Sequence, residues 1–305
     1  MRLLISLFKQ ITVLFVVFAS VRGLSAPYQP FMWQVQHQRA TVYLVGSIHA
    51  LTEDYYPLPA AYYSAFSESD RIAVELDPTS FDPYTSKRLV QQHMWLPEGI
   101  TLAQYLSDEQ LTLLQSIASK EGFDYQQMLR LRPWMLIDTL TQFQLTQSRY
   151  KTELGLDLHF IQRAKQQNKP ILELESLAEQ INAMAGAPFN AQLAMLESSL
   201  DQLEDLDYMH QMVEYWRTAQ PDKLYHFVYK DVERQPELQP MLELLLDRRN
   251  RHMADIINLY LTQAPLKPLT TFVIVGALHL SGPNSILVEL KQKGFSPHPM
   301  FTPPP

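Results

Sequence analysis

The strongest constraint on this chain is an apolar run that occurs twice, at residues 41–49 (TVYLVGSIH) and 271–279 (TFVIVGALH). Overlaid from Thr41 onto Thr271, the Thr, Val, Gly and His positions coincide and every other position is apolar or small. Runs that are apolar on both faces belong to interior strands of a sheet covered on each side, not to a half-solvated sheet. Close after the first run, YPLPAAYYSAFSESD has helical spacing, with Pro57 and Pro59 placed to open the helix, and RIAVELD at 71–77 reads as another short strand. Strand, helix, strand at this spacing is the crossover unit of a parallel sheet.

The rest of the pattern fits around that unit. FMWQVQHQ alternates like an edge or second strand and turns through Gln38-Arg39-Ala40 into the first repeated run. From about residue 80 to 268 the spacing is helical almost throughout, including one long run from Asn190 to Trp216, and is broken by KPILELES at 169–176, which reads as a strand. No period of 20–50 residues is present, which argues against a solenoid. The second repeated run leads into a helix over Pro283 to Lys293 and a last strand or tail near FSPHPMF. These readings predict an α/β fold with a largely parallel central sheet, flanking helices and a large all-helical insertion between the two halves. The expected boundaries are a single domain over 27–298, the insertion at about 80–268 and a Pro-rich tail at 299–305.

Residues 1–26 stand apart: Arg2 and Lys9, the apolar centre ITVLFVVFA, then small residues up to Ala26. That order is expected of a secretory signal peptide, and the centre is shorter than the ~20 apolar residues that a spanning helix needs. The expectation is therefore an exported protein, periplasmic or secreted, with no integral membrane span once the leader is removed. The chain has no cysteine, so neither a lipid-anchored start nor disulfides are available and the core alone must hold the fold. Without the leader the formal charge moves from −7 to −10, since Arg2, Lys9 and Arg22 are lost and no acid is. A net-acidic surface without a basic stripe argues against nucleic acid as a partner.

Each repeated run delivers a glycine and then a histidine just past a strand end, the rim where open α/β sheets bind ligands. Gly46 and Gly276 permit a turn or a close approach there. If the strands are neighbours, His49 and His279 meet across the rim, where two imidazoles can bind a divalent metal or divide acid and base roles. Glu75 in RIAVELD ends another predicted strand and approaches the same rim. Two histidines and a carboxylate form a recurring hydrolytic set. Taken singly, either histidine reads as a solvated loop residue and Glu75 as a surface acid; the duplication is what favours a site.

With those residues in hand, GSIH, GALHLSG and VELD resemble the TraB/GumN family, which is similar to the Tiki proteases and more distantly to ChaN and erythromycin-esterase-like proteins. LPEGITLAQYLS, LRPWM, GLDLHFIQRAK, LELESLAEQ and DRRNRHMA agree with the same pattern. The resemblance covers residues 33 to about 295 and implies an α/β core with a helical insertion. For the Tiki branch it implies a metal-dependent peptidase with His49, His279 and Glu75 at its centre. Asp157, Glu175, Arg249 and Asn250 match further polar landmarks. Asp157 has a helix cap as its plain alternative, and Glu175 can point to the rim or cap a helix. Arg249 can clamp a substrate carboxylate or phosphate, or be a buried arginine paired with Asp157 or Glu175. Arg132, ahead of Pro133, reads as fixing a helix entry. His159 stands two residues from Asp157 on one helix and so faces elsewhere. Ser281-Gly282-Pro283-Asn284-Ser285 keeps only the first glycine of the family's HLxGxxG.

The leading expectation is an exported, metal-dependent peptidase using Zn, Mn or Co on His49, His279 and Glu75. Glu75 or Glu175 would accept the water's proton, and the substrate would be a peptide or small polar molecule. A metal-free esterase- or amidase-like hydrolase using His and Glu, and a non-catalytic protein that binds metal, haem or another ligand, are the alternatives.

Overall fold

A computed structural model describes residues 28–203, 205–263 and 267–302. The expected leader at 1–26 and the last residues of the Pro-rich tail lie outside the described residues. Six strands form one sheet: β1 (Met32–His37), β2 (Ala40–Ser47), β3 (Arg71–Val74), β4 (Ile171–Glu173), β5 (Leu269–Gly276) and β6 (His298–Pro299). Their order is β4-β3-β5-β2-β1-β6. The four strands from β4 to β2 run parallel, and β1 pairs antiparallel with both β2 and β6. The two repeated runs are thus neighbours, as the rim argument requires. β1 and β2 form the expected hairpin, turning at Gln38 with φ 51°. Met300 N–H donates to the Met32 carbonyl and Phe301 stacks edge-on to Trp33, so the start of the predicted tail packs onto the sheet edge.

Alternation along β5 sorts the flanking helices onto two layers. Phe272 packs with Phe66 of the helix Ala60–Glu68 and Phe160 of the helix Leu156–Gln166. On the opposite face Thr271 accepts from Arg71, whose guanidinium lies over Tyr260 of the helix Arg248–Thr262. β2 and β5 are buried over nearly their whole length, consistent with strands covered on both faces.

The helical region between β3 and β5 is interrupted once, by β4, which joins the main sheet beside β3. The expected long helix from 190 to 216 is two helices, Phe189–Asp201 and Leu206–Arg217. Asp205 caps the second by accepting from Tyr208 N–H. The insertion has a core of its own around Leu102, Leu114, Leu136, Leu140 and Leu196, apart from the core that surrounds the sheet. Arg132 stands at the start of the helix Pro133–Gln147 and donates to the Ala185 carbonyl at 2.8 Å, tying two parts of the insertion together. No helix among the described residues is long and apolar enough to cross a membrane.

Candidate active site at the rim of the sheet

Glu75, His49 and His279 converge on Gly276. A Cβ built on that glycine would lie 3.3 Å from Glu75 Oε1, 3.5 Å from His279 Cδ2 and 3.6 Å from His49 Nε2. A side chain on Gly276 would therefore crowd Glu75 Oε1 and lie in van der Waals contact with both imidazoles. Gly46 is not its counterpart. The sheet pairs Gly46 with Val275 and Ser47 with Gly276, one residue out of step with the sequence overlay. A one-residue slip reverses the face, so Gly46 packs against the Phe31 ring and gives its carbonyl to Trp216 Nε1 at 2.8 Å. Ser47 takes the rim position instead. Its hydroxyl is buried without a hydrogen-bond partner, as is Asp157 Oδ1. Both residues border a cavity of ≈ 210 Å³ together with His49, Glu75 and Gln180.

Each histidine is fixed through Nδ1. Asn250 Nδ2 donates to the Asn284 carbonyl at 2.8 Å, which leaves its Oδ1 to accept from His279 Nδ1–H at 2.6 Å. The neutral ring then carries its lone pair on Nε2, 3.7 Å from Glu75 Oε1. The chain of contacts continues from Asn284 Nδ2 to Asp247 Oδ2 at 2.9 Å. Burial disfavours the charged form of His279, and its pKa falls to about 4 despite nearby Glu75. His49 Nδ1 lies 3.1 Å from Asp157 Oδ2. Crowding by protein atoms works against its charge, but Asp157 and then Glu75 prevail and raise its pKa to about 9. Its side chain is nevertheless 65% exposed, against 5% for His279.

Asp157 belongs to the helix Leu156–Gln166, whose N-cap is Gly155, so the cap alternative is not the one the fold uses. Gly155 has its own reason: a Cβ there would collide with the His49 carbonyl. Glu75 stands one residue past β3. Its Oε2 accepts from Arg249 Nη2 at 2.5 Å and its Oε1 from the Gly276 N–H at 2.5 Å. Burial alone would raise this carboxyl; the histidines, Arg249 and the Gly276 N–H hold it down to about 2. Because His279 is neutral, the positive partners that remain near neutrality are the Arg249 guanidinium and the His49 imidazolium.

Arg249 is shared by two acids. It also binds Glu175 through Nε at 2.9 Å and Nη2 at 2.5 Å, and Gln180 Nε2 donates to Glu175 Oε1 at 2.7 Å. Both oxygens of Glu175 are taken, and the residue is 6% exposed. It positions Arg249, and so stands behind Glu75 rather than beside the cavity. The helix that supplies Arg249 and Asn250 is preceded by a π-helical turn, Glu243–Asp247. Arg249 Nη1 donates back to the Leu245 carbonyl in that turn at 2.9 Å. Such wide turns recur at functional sites. His159 lies elsewhere, among Tyr56, Tyr63 and Phe160, accepting from Arg163 Nε at 2.9 Å.

A model of the TraB/PrgY/gumN family matches residues 31–299. The chain belongs to that family. It is 28% identical over 247 residues to the uncharacterized protein YbaP of Escherichia coli (strain K12), covering 80% of this chain and 85% of YbaP. YbaP of Shigella flexneri matches to the same extent. An uncharacterized protein of Treponema pallidum (strain Nichols) is 22% identical over 169 residues, 54% of this chain and 49% of that relative.

The donor chemistry at the rim suits a divalent ion: two imidazoles anchored at Nδ1, and Glu75 Oε1 facing them. Two orphaned oxygens, Ser47 Oγ and Asp157 Oδ1, border the same space. Among the described residues, no group of three His, Cys, Asp or Glu side chains already has the arrangement of a metal site. An ion there would draw on the two anchored imidazoles and on Glu75 Oε1, the oxygen not bound by Arg249, which accepts from the Gly276 N–H.

Proposed function

We propose that this protein is an exported hydrolase that cleaves a peptide or related amide, with a divalent ion held by His49 Nε2, His279 Nε2 and Glu75 Oε1. The observation that carries the reading is the pair of Nδ1 anchors, Asp157 and Asn250, which hold two imidazoles at one rim around Gly276. Export rests on the leader-like order of residues 1–26. When bound, a Zn, Mn or Co ion lowers the pKa of its water towards neutrality and polarises the scissile carbonyl.

The protein groups divide the remaining work. Arg249, itself locked by Glu175, keeps Glu75 ionised and its Oε1 aimed at the histidines. A carboxyl held at about 2 is a weak proton acceptor, which suits Glu75 to balancing positive charge rather than to general base catalysis. Ser47 Oγ, unpaired and beside His49, supplies a donor for the substrate's carbonyl oxygen. Asp157 Oδ1 accepts a donor from the substrate.

A second reading has its own support: the opposed shifts of His49, to about 9, and His279, to about 4. Titratable neighbours driven apart in this way can serve as acid and base without a metal. In that case His49 protonates the leaving group and His279 accepts the water's proton.

Metal analysis of protein purified without chelators, followed by a peptide-library digest with and without chelator, separates the readings. The metal hydrolase loses turnover on chelation, regains it with Mn²⁺, Co²⁺ or Zn²⁺, and loses it in both His49→Ala and His279→Ala. Turnover that survives chelation in full overturns the metal and leaves the second reading. Tight ligand binding with no hydrolysis under any metal overturns both in favour of a binding protein.

A further inference from the structure

Two spaces meet at Ser47 and His49, which line both. On one side lies the ≈ 210 Å³ cavity with Glu75, Asp157 and Gln180 in its wall. On the other is a cleft of ≈ 460 Å³ whose wall includes Ser47, His49, Gly276 and His279. Its volume falls within the ~300–1,000 Å³ of small-ligand pockets. Among the described residues, the two histidines are the ionisable ones that line it. Ile48 and Leu278, next to the histidines in sequence, form its inner wall. Leu145 comes from the helix Pro133–Gln147, Met209 and Met212 from the helix Leu206–Arg217, and Leu246 from the π turn. The helical insertion thus supplies an apolar wall to a site whose reactive groups come from the sheet.

We infer that this cleft is the subsite for an apolar side chain of the substrate, on the residue next to the scissile amide. The inference rests on the hydrolase reading and adds the substrate class to it. Three features argue for a substrate group as the occupant. The cleft is continuous with the histidines, so a group seated in it places its backbone at the rim. It is bordered on the reactive side by the unpaired Ser47 Oγ, which a backbone carbonyl satisfies. The neighbouring cavity is mixed, with Glu75 and Asp157 among Val74, Leu76, Pro78, Phe81 and Ile274, so a polar end of the substrate finds carboxylates there. The facing methionines, three apart on one helix, are unbranched and adaptable. The subsite therefore accepts Leu, Met or Phe about equally and rejects Asp, Glu and Lys.

The test uses the full mature chain and a peptide series that varies only the residues flanking the cleaved bond. Apolar members are expected to exceed the acidic ones in kcat/KM by roughly ten-fold or more at one flanking position. In Met209→Lys/Met212→Lys, checked for folding by its melting curve, that preference falls or inverts towards acidic members while cleavage stays at the same bond. Hydrolysis with no apolar preference, or a preference unchanged in the folded double variant, overturns the subsite and leaves the hydrolase reading intact. If no peptide is cleaved, the hydrolase reading fails, and fluorescence titration with dansyl-leucinamide decides the cleft. Saturable binding lost in the double variant upholds an apolar ligand site; absence of saturable binding overturns it.

Discussion

The ends of β2 and β5 are alike in sequence and unlike in environment. His49 is mostly exposed and braced by a carboxylate, whereas His279 is buried and braced by an amide. An anion next to an imidazole favours its charge; a neutral acceptor in a buried place does not. The same four-residue device therefore delivers one imidazole that is protonated near neutrality and one that is not. Equal motifs do not mean equal roles, and the neighbours contributed by two distant helices make the difference.

The largest effect is expected where both ends share a support. Arg249→Ala leaves Glu75 and Glu175 close together and largely buried without their cation. Breaking such a cluster costs about 3–5 kcal/mol. Urea unfolding should show this, with part of the loss recovered when Glu75 and Glu175 are both changed to Gln. A variant as stable as the parent would show that the two acids do not depend on this guanidinium.

Removing one brace at a time sharpens the contrast further. Asn250→Ala frees the tautomer of His279, and losing such a partner typically lowers metal affinity or activity ~10–100-fold. Asp157→Asn keeps a partner for His49 Nδ1 but removes the charge, so the His49 imidazole should titrate at lower pH by NMR. Should Asn250→Ala leave both metal affinity and turnover intact, the tautomer argument is wrong.

The two glycines should fail differently. Gly46→Ala pushes a methyl into the Phe31 ring, and overpacking of this kind costs about 1–3 kcal/mol of stability. Gly276→Ala meets only ordinary to tight contacts with Glu75, His279 and His49. It should lower turnover while moving the melting temperature less than Gly46→Ala does. Identical effects on stability and turnover would contradict the slipped register as the cause.

The smallest effect is on pH dependence, read in chelator-treated protein. Between about 4 and 6.5 the unfolded chain protonates an imidazole that folded His279 keeps neutral, so stability falls as pH drops through that window. Between 6.5 and about 9 folded His49 retains a proton that its unfolded ring has lost, so stability falls as pH rises. Solvent screens His49, which makes the alkaline limb the shallower one. Urea midpoints across pH should show both limbs, and His49→Gln should flatten only the alkaline one.

Much of this was legible beforehand. The apolar runs, the crossover to RIAVELD and the helical text at about 80–268 predict a largely parallel sheet and its insertion, and the duplication predicts that His49 and His279 share a rim. Ser47 was not legible. The overlay sets Gly46 on Gly276, and only the hydrogen-bond register of β2 and β5 reveals that Ser47 occupies the equivalent place. The placement of Glu175 behind Arg249 was equally hidden, because a carboxylate at a strand end looks the same whether its oxygens face solvent or a guanidinium. The break at Asp205 was missed because the apolar spacing of the two helices runs on across it.

The position of β5 has a consequence in time. It lies between β2 and β3, yet it is made after both and after the whole insertion. A chain halted before Leu269 carries His49, Glu75, Glu175 and Arg249, but has neither the strand that separates and joins them nor the glycine around which they gather. The rim cluster of His49, Glu75 and His279 around Gly276 is therefore assembled only once the last part of the chain has been made.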